Sequence, residues 1–271
     1  MPGLCAVLIA GMLEVNVLAS GSSGNALLLR SGGCSVLVDA GLSARRLASR
    51  LDACGAPPES LTGILLTHEH GDHTRGLKVL LARHRIPVFA NPLTADHLKR
   101  AGVGAEWNLF SSGATFRLGS FEILAFSVPH DAADPVGFLL RANGSTFGVL
   151  TDLGHATRHV VESVRGVKAL LIETNHDEGL LQQDTKRPWP VKQRILSRHG
   201  HLSNAAAAAL VADVATGSLT HVLLGHLSRD CNSPDLAIAA VGSRLREKGH
   251  MNVTIQCAAA EDDAPVVRVT V

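Results

Sequence analysis

The chain has no tyrosine, and only 3% of its 271 residues are aromatic. Large planar side chains therefore cannot build its core, and that task falls to Leu, Val, Ile and Ala. Its five cysteines are odd in number and include no Cys-x-x-Cys pair. This argues against a disulfide framework and for a reducing compartment, so a cytoplasmic location is expected. No run of 18 apolar residues occurs, so no membrane-spanning helix is expected. The net charge is only +1, which leaves no global basic field to draw the chain onto nucleic acid. Any such affinity must come from a local patch. Low-complexity linkers and fixed-period repeats are also missing.

What is present is an ordinary globular composition, 46% hydrophobic and 18% charged. The start, "MPGLCAVLIAGML", is mildly apolar but lacks the basic region of an export signal. Residues 1–12 are read as a loose extension, with Met12 as an alternative start, and residues 13–271 as one domain. Strand-like runs cover 13–19, 26–31, 35–40, 63–67, 87–90, 121–128, 136–142 and 146–152, mostly bounded by Gly, Asn, Asp or Pro. Helical periodicity covers 43–53, 74–84, 93–101 and 156–164, then 190–199, 204–215 and 233–248. Further strands fall at 220–226, 252–257 and 266–271. Ser203 or Asn204 is the expected cap of the alanine-rich helix. Strands and helices alternate in both halves, so an α/β architecture of sheets covered by helices is expected.

The densest chemistry lies in "LLTHEHGDH". His68, His70, Asp72 and His73 follow a strand and precede a helix, where neighbouring side chains can converge. Imidazole and carboxylate together suit divalent Zn or Mn. Four donors begin two metal sites without completing them. Three further donors leave apolar strands in the same way: His130 in "SVPHD", Asp152 in "VLTDLG" and His226 in "LLGHLS". One histidine at a strand end is usually a cap or a surface residue. Four matching exits are not explained that way.

With these residues the chain resembles the metallo-β-lactamase fold superfamily. Its strings "LASGSSGNALLL", "PWPVKQRILSRHGHLSN" and "GHLSRDCNSP" are similar to those of the YycJ/WalJ-like branch, related to ribonuclease Z. Gly71 stands where relatives often carry Ser, at a position that is not a ligand. The resemblance implies a four-layer αββα sandwich and a 5′→3′ exonuclease acting on DNA rather than RNA. It implies one metal on His68, His70 and His130, a second on Asp72, His73 and His226, and Asp152 bridging. Two such metals, about 3.5–4 Å apart, hold a hydroxide that attacks a phosphodiester. It also implies that His201, in "GHLSN", gives a proton to the leaving oxygen, with Glu173 as the group orienting it.

The loop "ASGSSGN" offers Ser22, Ser23 and Asn25 to a substrate, though a plain hairpin turn explains it as well. Segment 186–198 carries Lys186, Arg187, Lys192, Arg194 and Arg198 without an acidic residue, and Trp189 lies inside it. Lys192 and Arg194, with Arg229 further on, are candidate phosphate contacts; the competing reading is a solvated charged face. His84, His97, His159, His221 and His250 read as structural or surface residues, His155 and His176 as neighbours of the ligands, and Cys231 as packing. Two rival functions remain. A small-molecule hydrolase of the same fold, a β-lactamase or lactonase, has no need of the basic segment or of His201. A binding protein with vestigial metals would be expected to lack a ligand. The oligomeric state is left open.

Overall fold

The computed structural model of the chain describes residues 12–258 and 266–271. Of the extension expected over residues 1–12, residues 1–11 lie outside the described residues.

The first of two sheets contains β1 (Glu14–Ala19), β2 (Ala26–Ser31), β3 (Cys34–Val38), β4 (Gly63–Leu65), β5 (Pro87–Ala90) and β6 (Glu106–Leu109). The second contains β7 (Thr115–Leu118), β8 (Phe121–Ser127), β9 (Val136–Ala142), β10 (Ser145–Leu150), β11 (Ala169–Glu173), β12 (His221–Gly225) and β13 (Thr254–Cys257). The last strand, β14 (Val267–Thr270), returns to pair with β1. The two orders are β14-β1-β2-β3-β4-β5-β6 and β13-β12-β11-β10-β9-β8-β7. Each sheet is antiparallel in its first-formed part and continues as parallel strands, from β3 to β6 and from β10 to β13. Parallel neighbours need crossovers, and helices supply most of them.

Strand alternation explains the layering. In β2, Leu27 and Leu29 join Phe121, Phe138 and Phe147 between the sheets, while Leu28 packs on the other face with Leu47 and Leu51. In β11, Leu171 points between the sheets, and Leu170 and Ile172 point toward Val211 and Val241. Both faces of these strands are buried, which is why they read as continuous apolar runs. The outcome is helix, sheet, sheet, helix: the expected four-layer αββα sandwich.

Helix α1 (Ala44–Ala53) buries Leu47 and Leu51, one turn apart. The helix expected over 74–84 is instead two pieces, α2 (Gly71–Thr74) and α3 (Leu77–Leu81). The break has a cause: the Gly76 N–H donates to Ala40 O at 2.8 Å, so the backbone is tied to the exit of β3. Helices α4 (Pro92–Arg100) and α5 (Arg158–Ser163) lie where periodicity placed them. Helix α6 (Glu178–Gln183) and the four-residue strands β6 and β7 were not expected from the sequence; each is too short for its periodicity to stand out. Helix α7 (Trp189–Ile195) stops short of residue 199, because the chain doubles back and the His201 N–H donates to Ile195 O at 2.9 Å. Helix α8 (Asn204–Val214) is capped by Ser203, whose hydroxyl accepts from Ala206 N, and α9 (Pro234–Glu247) by Ser233.

The exits of β3, β4, β8, β10, β11 and β12 thus gather the polar residues. Gly41 holds two of these exits together. A Cβ there would lie 1.7 Å from Asp72 O and 2.6 Å from Asn25 N. Gly41→Ala is expected to cost about 3 kcal/mol in urea unfolding. Gly104→Ala, where an added Cβ meets nothing within 4 Å, is expected to stay within about 0.5 kcal/mol of the parent.

Candidate metal centre

Three of the four non-glycine residues with positive φ among the described residues stand at these exits: Asp39 (62°), Asp152 (47°) and His226 (55°). The fourth, Asn143, belongs to the tight Asn-Gly turn between β9 and β10. A left-handed aspartate or histidine costs of order 1 kcal/mol, and such strain concentrates at functional sites.

The structure brings all seven sequence-derived donors together. Donor atoms of His68, His70 and His130 lie within 4.8 Å of one another, and His130 Nε2 is 3.4 Å from His70 Nδ1. Asp72 Oδ2 lies 3.7 Å from both His73 Nε2 and His226 Nε2. Asp152 sits between the two sets. Its Oδ2 is 3.0 Å from His73 Nε2, its Oδ1 is 3.0 Å from His226 Nδ1, and the same oxygen is 3.9 Å from His130 Nε2.

Three of the imidazoles are anchored through Nδ1. His73 Nδ1 is 2.7 Å from Asp39 Oδ2, His130 Nδ1 is 3.2 Å from Gly200 O, and His68 Nδ1 is 3.0 Å from Thr67 Oγ1. A carboxylate or carbonyl only accepts, so His73 and His130 donate there. Their Nε2 atoms, like that of His68, are left facing the centre, as second partners of metal-binding histidines do. The fit to divalent metal rests on what these inner atoms lack. His68 Nε2, Asp152 Oδ2 and His226 Nδ1 are buried and have no hydrogen bond among the described residues. Asp152 and His226 face one another at contact distance without hydrogen-bond alignment. That arrangement suits lone pairs converging on a shared cation, and the mixed N and O donor set suits Zn or Mn.

The electrostatics are divided among the donors: burial would lower His73 and His226, but Asp152 outweighs it and holds both well above their ordinary values. Burial by itself would raise the Asp152 carboxyl, but His226 and His73 outweigh it and hold it well below the usual carboxylate range. Burial, with His73 beside it, pushes His68 well below its ordinary value, toward the neutral ligand form.

Glu173 and His201 form a second arrangement. Glu173 ends β11, fully buried, with Oε1 2.6 Å from His201 Nδ1 and 3.0 Å from His226 Nδ1. Its Oε2 accepts from Leu153 N and Leu202 N. Burial raises its pKa, yet His201 and His226 bring it down to about 2. In return, Glu173 offsets the burial that would lower His201 and leaves that imidazole above its usual value. The His201 ring lies 5.3 Å from that of His130 and 5.2 Å from that of His226.

The expected substrate contacts fare differently. Ser22 is exposed and Ser23 half-buried on their loop, and Arg229 is exposed. Asn25 is buried, with its amide bonded to Gly21 and placed against Asp72 and His73, so it builds the centre instead of facing a substrate. Lys192 is buried, and its ammonium donates to Gln182 O. Arg194 pairs with Asp131, Lys186 with Asp230, and Arg187 with Asp184 and Asp230. The basic segment is therefore largely neutralised by acids from elsewhere in the chain.

Sequence reasoning missed Asp39, Asp131 and Glu69. Asp39 ends the strand run 35–40 with the same polar-exit signal as Asp152, and was absorbed into the strand. Asp131 lies 3.3 Å from His130 Nε2. Glu69 accepts from Ala133 N at 2.8 Å and ties the first histidine loop to the loop of His130.

Comparison with known proteins now bears on this geometry. A family model described as a β-lactamase superfamily domain matches residues 35–227. The chain belongs to the metallo-β-lactamase superfamily. Within it, the chain is 38% identical to "Exodeoxyribonuclease YycJ" of Bacillus anthracis, over 88% of this chain and 90% of that protein. It is 34% identical to "Exodeoxyribonuclease WalJ" of Streptococcus pneumoniae, over 86% and 88%. The chain thus falls in the YycJ/WalJ group of the superfamily. The metallo-β-lactamase fold protein YhfI of Bacillus subtilis superposes with a TM-score of 0.72 at 18% identity, over 96% of this chain and all of that one, which supports the fold. As a member of this superfamily the chain is a hydrolase, with a His/Asp cluster suited to metal ions. No helix among the described residues is long and apolar enough to cross a membrane.

If the cluster holds metal, Zn or Mn at 100 times its Kd should stabilise stripped protein by about 2.7 kcal/mol, a Tm rise of several degrees. Asp152→Ala should lose most of that rise. An unchanged rise would remove Asp152 from the metal centre.

Proposed function

We propose that the chain is a dinuclear-metal phosphodiesterase that removes nucleotides from the 5′ end of DNA. The observation that carries this reading is the Glu173–His201 pair, 2.6 Å apart beside the metal cluster. Expulsion of a sugar alkoxide requires a proton, and this pair is placed to give one. The exodeoxyribonuclease names of the two relatives support the substrate class.

One ion would be held by His68, His70 and His130, the other by Asp72, His73 and His226, with Asp152 between them. Bound divalent metal supplies Lewis acidity and lowers the pKa of water toward neutrality. The protein's own groups do the rest. Asp39 keeps the His73 ring in one tautomer and orientation. Glu173 accepts from Nδ1 of His201 and favours its protonated form. Nε2 of His201 has no protein partner among the described residues, so it is the nitrogen that donates to the leaving oxygen as the P–O bond breaks. Ser22, Ser23 and Arg229 remain the proposed substrate contacts; Asn25, Lys192 and Arg194 do not. A cytoplasmic location is kept on the cysteine argument alone.

The test gives stripped and re-metallated protein 5′-labelled and 3′-labelled duplex DNA, with a chromogenic cephalosporin in parallel. Metal-dependent release of mononucleotides from the 5′ end is expected. His201→Ala should lower kcat on DNA by about 10²–10⁴-fold. That loss should shrink strongly with bis(p-nitrophenyl) phosphate, whose leaving group needs no proton. Intact DNA beside an opened cephalosporin would replace the nuclease reading with a β-lactamase one. An equal His201→Ala loss on both phosphodiesters would refute the general-acid role.

A further inference from the structure

Beside the metal cluster lies a cleft of about 240 Å³, lined by Ser22, Ser23, Arg187, Ser228, Arg229 and Asp230 among others. We propose that this cleft is a phosphate-binding subsite, in which Arg229 and the Ser228 hydroxyl grip one phosphate of the substrate strand within a few nucleotides of the scissile position. The proposal rests on the nuclease reading and deepens it.

Both walls are continuous with the metal centre. One is the loop over residues 20–24. At its start, Ser20 Oγ accepts from His226 N at 2.8 Å, and just beyond its end the Asn25 N–H donates to Asp72 O at 2.7 Å. From outside, Arg75 donates to Ser23 O at 2.8 Å and holds the loop in place. The other wall is the chain that leaves His226. Arg229 is the third residue after His226, at most about 10 Å along extended backbone. A DNA strand brings a phosphate about every 3.4 Å of its axis. With side-chain reach added at both ends, a phosphate in the cleft lies within a few nucleotides of the one attacked.

The charges in the cleft are not equivalent. Asp230 is paired with Lys186 at 2.6 Å and with Arg187 at 3.1 Å, and Arg187 is held again by Asp184 at 2.8 Å. These four groups form a closed brace of two cations and two anions. Asp230 is thereby prevented from repelling an anion, and Arg187 is held in position along the wall. Arg229 stands outside the brace. It is exposed and makes no ion pair or hydrogen bond among the described residues, so it is the uncompensated charge of the cleft. Ser228 Oγ already accepts from Cys231 N at 3.2 Å, which leaves its O–H to donate. A free guanidinium and an oriented hydroxyl are both donors, and their natural ligand is a phosphate oxyanion. That phosphate is either an internal phosphodiester or the terminal phosphate of the strand, and the two are separable.

The experiment measures binding of metal-free protein, which does not cut, to 3′-labelled duplexes ending in a 5′-phosphate or a 5′-hydroxyl. Anisotropy is read across a salt series. Arg229→Gln is expected to weaken binding about tenfold and to reduce the slope of log K against log salt by about one. Ser228→Ala is expected to weaken binding severalfold. Loss on both duplexes supports the subsite and assigns it an internal phosphodiester; loss confined to the 5′-phosphate duplex supports it and assigns the terminal group. Unchanged affinity and slope for Arg229→Gln overturn it. With metal restored, parent protein that leaves all DNA intact defeats the nuclease reading and the subsite with it. DNA degraded equally fast by parent and Arg229→Gln defeats the subsite alone.

Discussion

A carboxylate tolerates burial only beside compensating positive charge, and Asp152 is buried at the centre of this molecule with imidazoles on both sides. His73 reaches it from the first sheet and His226 from the second. The contact therefore does more than join candidate donors: it aligns the exits of two sheets that are joined elsewhere by an apolar interface and scattered polar bonds, such as Ser120 Oγ to Ser31 O. The supporting bonds follow from it. Asp39 holds the far side of the His73 ring, Thr67 holds Asp39, and Ser20 of the first sheet accepts from the backbone of His226 in the second. With one of these partners removed, a buried charge loses its counterpart, which costs far more than an ordinary contact.

The proposed general acid is tied to the same frame. The segment that delivers His201 follows α7, and it is anchored twice to the His130 loop. Arg194 pairs with Asp131, and Gly200 O lies 3.2 Å from His130 Nδ1. A shift of His201 thus disturbs His130, a proposed metal ligand, and the converse holds. Arginine in this segment acts as a strut, which explains why its charges are met by acids instead of being left free for substrate.

Close packing of backbone accompanies this rigidity. At Gly154 an added Cβ would lie 2.3 Å from Arg198 O, and at Gly200 it would lie 2.1 Å from Ile195 O. Together with the left-handed Asp39, Asp152 and His226, these positions concentrate strain at the strand exits. The apolar layers on both sides of each sheet hold that strain in place.

Sequence alone determined most of the strands and helices and the seven donors, because each is written in a local pattern. A strand shows itself by an apolar run and its end by a polar residue, so His130, Asp152 and His226 were legible without a partner in view. Tertiary structure decided what depends on residues far apart in the chain. Asp39 meets His73 across 34 positions and Arg194 meets Asp131 across 63, and no period in the sequence encodes either distance. For the same reason the basic segment looked free of acids, Lys192 looked exposed, and Gly76 looked like part of one helix. The edge strands β6 and β7 stayed hidden because four residues each, EWNL and TFRL, are too few for their alternation to stand out. Local chemistry named the candidate donors; the contacts of Asp39, Thr67 and Gly200, made only in the folded chain, fixed which nitrogen of His73, His68 and His130 faces the centre.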